Sequence, residues 1–183
     1  MVGLGNPGPK YTRTRHNVGF RVTDELLRRS GATPKDKFRG EFALVGVGTE
    51  QFGVLKPQTF MNVSGESVRL AVEFYGILPA DILVVHDELD LPLGRIRLKV
   101  GGGHAGHNGL RSIIQHCGPE FVRIRCGIGG KLVSGPTTNF VLGNFGQDEE
   151  ILAAKMIDVA ADMIEHVLQH GPLATMNRYH SEV

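Results

Sequence analysis

The sequence predicts a single α/β domain over residues 1–183, built on a mixed, twisted and largely buried central sheet flanked by helices. Segments with strand-like and helix-like apolar periods alternate along the chain. Ile82-Leu83-Val84-Val85 is an unbroken apolar run, as a fully buried central strand requires. No internal repeat or low-complexity linker divides the 183 residues. A chain of this size buries roughly 70% of the surface its unfolded form exposes, so no disulfide or metal staple is needed.

Taken in order, Met1 to Leu4 is a stub of strand entering a glycine-rich turn, Gly3 to Gly8. Val18, Val22 and Leu26 recur at helical spacing up to Arg29, and Gly31 is a natural stop. Phe42 to Val47 and Phe52 to Leu55 read as two short strands. Ser64 is placed to cap a helix through Val68, Ala71, Val72 and Tyr75, which Gly76 ends. Beyond the Ile82–Val85 run, Ile96 to Val100 alternates apolar and basic side chains, as a half-exposed strand does. Gly101-Gly102-Gly103 breaks the chain before a short helix containing Leu110, Ile113 and Ile114. Val122 to Ile128 is a further strand with arginines at alternate positions. The longest helix is expected from about Gln147 to Gln169. Acids occupy its first turn, where the helix dipole favours them, and Ile151, Leu152, Met156, Val159, Ala160, Met163 and Val167 form its apolar stripe.

Composition excludes several classes. No apolar run approaches the roughly 18 residues of a membrane span, and no charged start precedes an apolar stretch as in a signal peptide. A cytoplasmic protein is therefore expected. Cys117 and Cys126 have no metal-ligand partners at useful spacing and are expected to be reduced thiols. The formal net charge is only +1, but its distribution is uneven. Lys10 to Arg39 and Arg95 to Lys131 are basic, and the chain from Asp148 onward is acidic, an asymmetry suited to guiding a polyanion.

Four segments are too rich in glycine and polar residues to serve packing alone: Gly3 to Asn17, Phe60 to Gly65, His86 to Pro92 and Gly101 to Gly109. The first formally matches the dinucleotide pattern G-x-G-x-x-G. It lacks the full preceding strand, and Pro7-Gly8-Pro9 delays any helix, so no dinucleotide is expected. His86, His104 and His107 with Asp87 are a candidate metal cluster, although histidines in a glycine loop are poorly fixed as ligands. A third reading is a metal-free hydrolytic set. His16 would take a proton from water, Asp87 at the end of a buried strand would hold the imidazole, and Asn6, Asn17, Asn62 and Asn108 would orient a substrate or an oxyanion. No G-x-S-x-G elbow suggests a serine nucleophile. Residue types alone leave a hydrolase or transferase on an α/β fold.

The four segments, in this order and spacing, strongly resemble the bacterial-type peptidyl-tRNA hydrolases. The likeness runs from about residue 1 to Gly129 and more weakly through Phe140 to Gly143. It implies a monomeric α/β enzyme that frees peptides from peptidyl-tRNA without metal or cofactor. By the same resemblance His16 is the base, Asp87 orients and polarises it, and Asn62 positions the water or the carbonyl. Asn6 and Asn108 become peptide-binding amides, and Tyr11, Met61 and His107 line the cleft. Arg97, Lys99 and Arg125 become a basic face that grips the tRNA, including its 5′-phosphate end. Two features depart from the family pattern. A short first strand is expected, with a less rigidly held Asn6 loop. After Gly129 the family commonly has a basic residue or histidine followed by Pro-Gly, whereas this chain reads Gly130-Lys131-Leu132-Val133-Ser134-Gly135, so Lys131 is expected to supply the charge on a loop of different shape. Two rivals remain: an RNA-binding protein on the same fold without hydrolysis, and a metal-dependent hydrolase using His86, His104 and His107.

Overall fold

The computed structural model describes residues 1–129 and 136–180; the expectation for Lys131 lies outside them. Seven strands form one sheet in the order β2-β3-β4-β1-β5-β7-β6. They are β1 (Val2–Gly3), β2 (Lys35–Lys37), β3 (Gly40–Val47), β4 (Glu50–Pro57), β5 (Leu83–Glu88), β6 (Ile96–Val100) and β7 (Val122–Gly127). β4, β1, β5 and β7 run parallel, while β2, β3 and β6 are antiparallel to their neighbours. The first strand is as short as expected, yet it lies at the sheet's centre, paired with β4 and β5.

On one face α1 (Val18–Ser30) and α5 (Gln147–His180) cover Val85, Ile124 and Leu98. On the other, α2 (Ser64–Tyr75) and α3 (Asn108–Cys117) cover Val2, Leu55 and Val84. This second apolar cluster includes Phe121 but no residue of β6 or β7. That end of the face carries the basic side chains instead. Gly19 lets α1 lie directly on the sheet: a Cβ there would come within 2.6 Å of backbone atoms of Leu4 and Val85.

Several expectations are corrected. Ser64 does not cap α2; it is the first helical residue, and its hydroxyl donates to the Met61 carbonyl at 2.8 Å. A single 3-10 turn, Met61–Val63, runs straight into the helix, so the capping position falls on Val63. In α5, Ile151 and Leu152 are exposed, and Ala153, Ile157, Ala161 and Ile164 share the buried stripe with Met156, Ala160 and Met163. The helical path bends at Gly171, close to the expected end, and continues to His180. β2 and the short α4 (Thr137–Val141) have no counterpart in the sequence reading. Both cysteines are free thiols, Cys126 in the core and Cys117 half-buried. Among the described residues no helix is long and apolar enough to cross a membrane.

Candidate active site

The parallel strands β1 and β5 end side by side, where α/β sheets place their sites. The last residues of β5 are His86, Asp87 and Glu88, all buried. Asp87 Oδ1 accepts from two imidazoles: His16 Nδ1 at 2.8 Å and His107 Nε2 at 2.9 Å. His16 stands on a 3-10 turn, Arg15–Asn17, that leads into α1. His107 is the N-cap of α3, and its Nδ1 accepts from the amides of Gly109 at 3.1 Å and Leu110 at 3.3 Å.

These contacts fix both tautomers. An ionised carboxylate only accepts, so His16 carries its proton on Nδ1 and keeps a bare lone pair on Nε2. His107 spends Nδ1 on the helix cap and Nε2 on Asp87. Burial opposes a charge on Asp87, but the two imidazoles overcome it and hold the carboxyl well below the usual carboxylate range. Burial also opposes protonation of His16, but the charge and hydrogen bond of Asp87 outweigh it and raise that group above its ordinary 6.5. His86 behaves oppositely. Its Nδ1–H donates to the Asp87 carbonyl at 2.7 Å, and burial, reinforced by neighbouring His107, pushes its pKa down to about 3.

Asn6 is held more firmly than expected from so short a first strand. Its backbone N–H donates to Asn17 Oδ1, and Asn17 Nδ2 donates back to its carbonyl, both at 2.9 Å. Asn17 is therefore a brace rather than a substrate contact. Asn6 Oδ1 accepts from the Met61 amide at 2.8 Å, so its Nδ2 remains as a donor. A cleft of about 560 Å³ is lined by Asn6, His16, Met61, Asn62, Asp87, His107 and Asn108, with Phe60 on its rim. Asn62 and Asn108 are exposed to it. Tyr11 is not among the lining residues; its carbonyl accepts the Thr14 amide and hydroxyl, and Lys10 lies over its ring.

Sequence reasoning assigned no site role to a further part of the lining: Thr137, Thr138, Val141 and Leu142 of α4 and the residue after it. A five-residue helix has too few turns to show a period. Arg15 ties this wall to the turn that carries His16. Its amide donates to Gly143 O at 2.9 Å, its guanidinium lies 4.4 Å from the Phe140 ring centroid, and Nη2 pairs with Glu149 at 2.7 Å.

Beside the cleft, Arg97 lies opposite Arg125 and Lys99 opposite Arg123, so four cations share one face of β6 and β7. Lys99 is exposed and Arg97 half-exposed. Arg125 Nε donates to Glu88 Oε2 at 2.9 Å. Arg123 is only 2% exposed and turns inward.

The metal rival does not assemble as expected. His86 Nδ1 is bound to a backbone carbonyl and His104 Nδ1 to the Gly106 amide. Among the described residues the one set with converging ligand atoms is His16, Asp87 and His107, within 4.8 Å of one another. In that set both imidazoles meet the carboxylate through N–H groups at hydrogen-bond distance, and an ion would have to displace both protons.

A buried carboxylate holding a histidine at an open cleft, on an α/β sheet, defines an enzyme equipped for general-base chemistry. The family model for peptidyl-tRNA hydrolase matches residues 1–183. The peptidyl-tRNA hydrolase of Geobacter sulfurreducens is 48% identical over 100% of this chain and 95% of its own length. That of Rhizobium johnstonii is 46% identical over 97% of this chain and 74% of its own. The crystal structure of the peptidyl-tRNA hydrolase from Acinetobacter baumannii superposes with a TM-score of 0.92 at 42% identity, covering 97% of this chain and 92% of that one. The chain belongs to the peptidyl-tRNA hydrolase family.

Proposed function

We propose that this chain hydrolyses the ester between the peptide and the 3′-terminal ribose of peptidyl-tRNA with water activated by His16, no metal or cofactor taking part. The observation that carries the reading is the His16 Nδ1–H bond to Asp87 at 2.8 Å, which leaves Nε2 free as a base in the cleft. Water attacks the ester carbonyl as its proton passes to Nε2, and Asp87 stabilises the imidazolium. The side-chain amide of Asn62 steadies the tetrahedral oxyanion. As the carbon–oxygen bond breaks, the imidazolium returns its proton to the departing ribose oxygen. An ester leaving group needs no stronger electrophile.

Asn6 offers the acyl chain a donor, because its oxygen is already bound to Met61, and Asn108 adds a second amide. Such contacts read a peptide backbone and ignore side chains. Arg97, Lys99 and Arg125 face the phosphates of the tRNA, a contact that is blind to base sequence. Every group in this scheme comes from one chain, and the protein is taken to act as a monomer in the cytoplasm.

The test is release of labelled peptide from N-acetyl-aminoacyl-tRNA in excess chelator across a pH series. Release is expected to persist. Because Asp87 raises the pKa of His16, kcat/KM is expected to be flat at alkaline pH and to fall tenfold per unit below a limb lying above 6.5. Activity lost to the chelator and restored by a divalent ion would assign the chemistry to a metal instead. Lys99→Ala is expected to raise KM for full-length substrate several-fold with little change in kcat. Its plot of log KM against log salt should be shallower by about one, as for one lost phosphate contact. An unchanged KM would remove Lys99 from the tRNA face.

A further inference from the structure

We propose that Arg123 is a positioning residue that fixes the glycine-rich wall of the cleft, and through it the His107–Asp87 contact, rather than a fourth hand on the substrate phosphates. Of its neighbours on the basic face Lys99 is exposed and Arg97 and Arg125 are half-exposed, whereas Arg123 is buried. Its two terminal nitrogens donate to consecutive carbonyls, Nη1 to Gly103 and Nη2 to Gly102, and its guanidinium lies 4.4 Å from the centroid of the Phe121 ring. Glu88, on the same face, is committed to Arg125, so Arg123 has carbonyls and a ring for company rather than a carboxylate. Nε is buried without a partner among the described residues. A cation kept in so costly a place is held for what it binds.

What it binds is the start of the loop that delivers the catalytic wall. Gly101 and Gly102 have φ of 64° and 107°, a left-handed path that turns two successive carbonyls toward one fork. From Gly103 the chain makes a turn closed by the His107 amide on the His104 carbonyl at 2.8 Å. His107 then caps α3 and reaches Asp87, and Asn108 follows it into the cleft. A planar fork fixes two parallel N–H vectors on both carbonyls; a lysine ammonium keeps the charge but not that geometry.

The inference rests on the His16 mechanism above, and Arg123→Lys assayed beside His16→Ala separates the two. For Arg123→Lys, kcat is expected to fall about tenfold or more, as for misplacement of a reacting group, with KM and its salt dependence unchanged. A second readout has a definite sign. With His107 loosened, Asp87 serves His16 alone, stabilises its imidazolium further, and moves the acid limb of kcat/KM to higher pH. Unchanged kcat and limb, or a raised KM with a shallower salt slope, would overturn the proposal. Turnover surviving in His16→Ala would overturn the mechanism beneath it instead. Should Arg123→Lys fail to fold, the wild-type protein answers by NMR. The Nη protons of Arg123 are expected to exchange slowly and to stay in place when an acceptor-stem RNA is added. A shift on adding that RNA would make Arg123 a phosphate contact.

Discussion

His16→Ala is expected to lower kcat for peptide release by roughly three orders of magnitude, near the middle of what a positioned general base contributes. That is about 4 kcal/mol of transition-state stabilisation. KM should change little, because the basic face proposed to meet the phosphates lies on β6 and β7, away from the turn that carries the imidazole. Fold stability should also survive. The substitution removes one hydrogen bond from Asp87, whose Oδ1 still accepts from His107. Single-turnover release with wild type and variant, each at saturating enzyme, isolates the chemical step. A kcat within tenfold of wild type would mean that another group takes the proton from water.

The second large effect is expected for Asp87→Asn, which keeps the shape and an oxygen acceptor but removes the charge. A neutral amide holds the imidazole less firmly and does not stabilise the imidazolium, so kcat should fall by about 10²- to 10⁴-fold. The pH profile shows whether the lost charge is responsible. Asp87 holds the His16 pKa above 6.5 against the opposing effect of burial. Without it burial dominates, and the acid limb is expected to move to lower pH even as the plateau falls. A plateau that falls with the limb unmoved would show that Asp87 only props the loop.

Much of the site was legible because its residue types are unusual where they stand. A histidine after Thr14-Arg15, an acid ending an apolar run, and amides among glycines have no packing reason to be there. How the loops meet in space was not legible. Asn17 read as one more amide for substrate, yet its side chain is consumed in a reciprocal pair with the Asn6 backbone. Alternation along Val122 to Gly127 put both arginines on the correct face but did not distinguish Arg125 from Arg123. That distinction depends on the glycine loop arriving over one and not the other. Ile151 and Leu152 kept the helical period but are exposed, since spacing gives the stripe and not the point where a helix meets its sheet. β2 escaped notice because its three residues, Lys35, Asp36 and Lys37, are exposed and polar. The stub Met1 to Leu4 was seen but looked marginal. Its pairing with a strand on each side makes so short a segment sufficient.

The Arg15 anchorage has a mechanical consequence. Thr14 is bridged to Asn144, Arg15 is bonded to Gly143, and His16 follows in the same turn. The α4 wall thus shares one frame with the turn that carries His16. Spreading the cleft widely enough to swing α4 aside would pull on the ring that Asp87 holds. The width of the cleft at α4 and the seat of the His16 ring are thus set by one and the same anchorage.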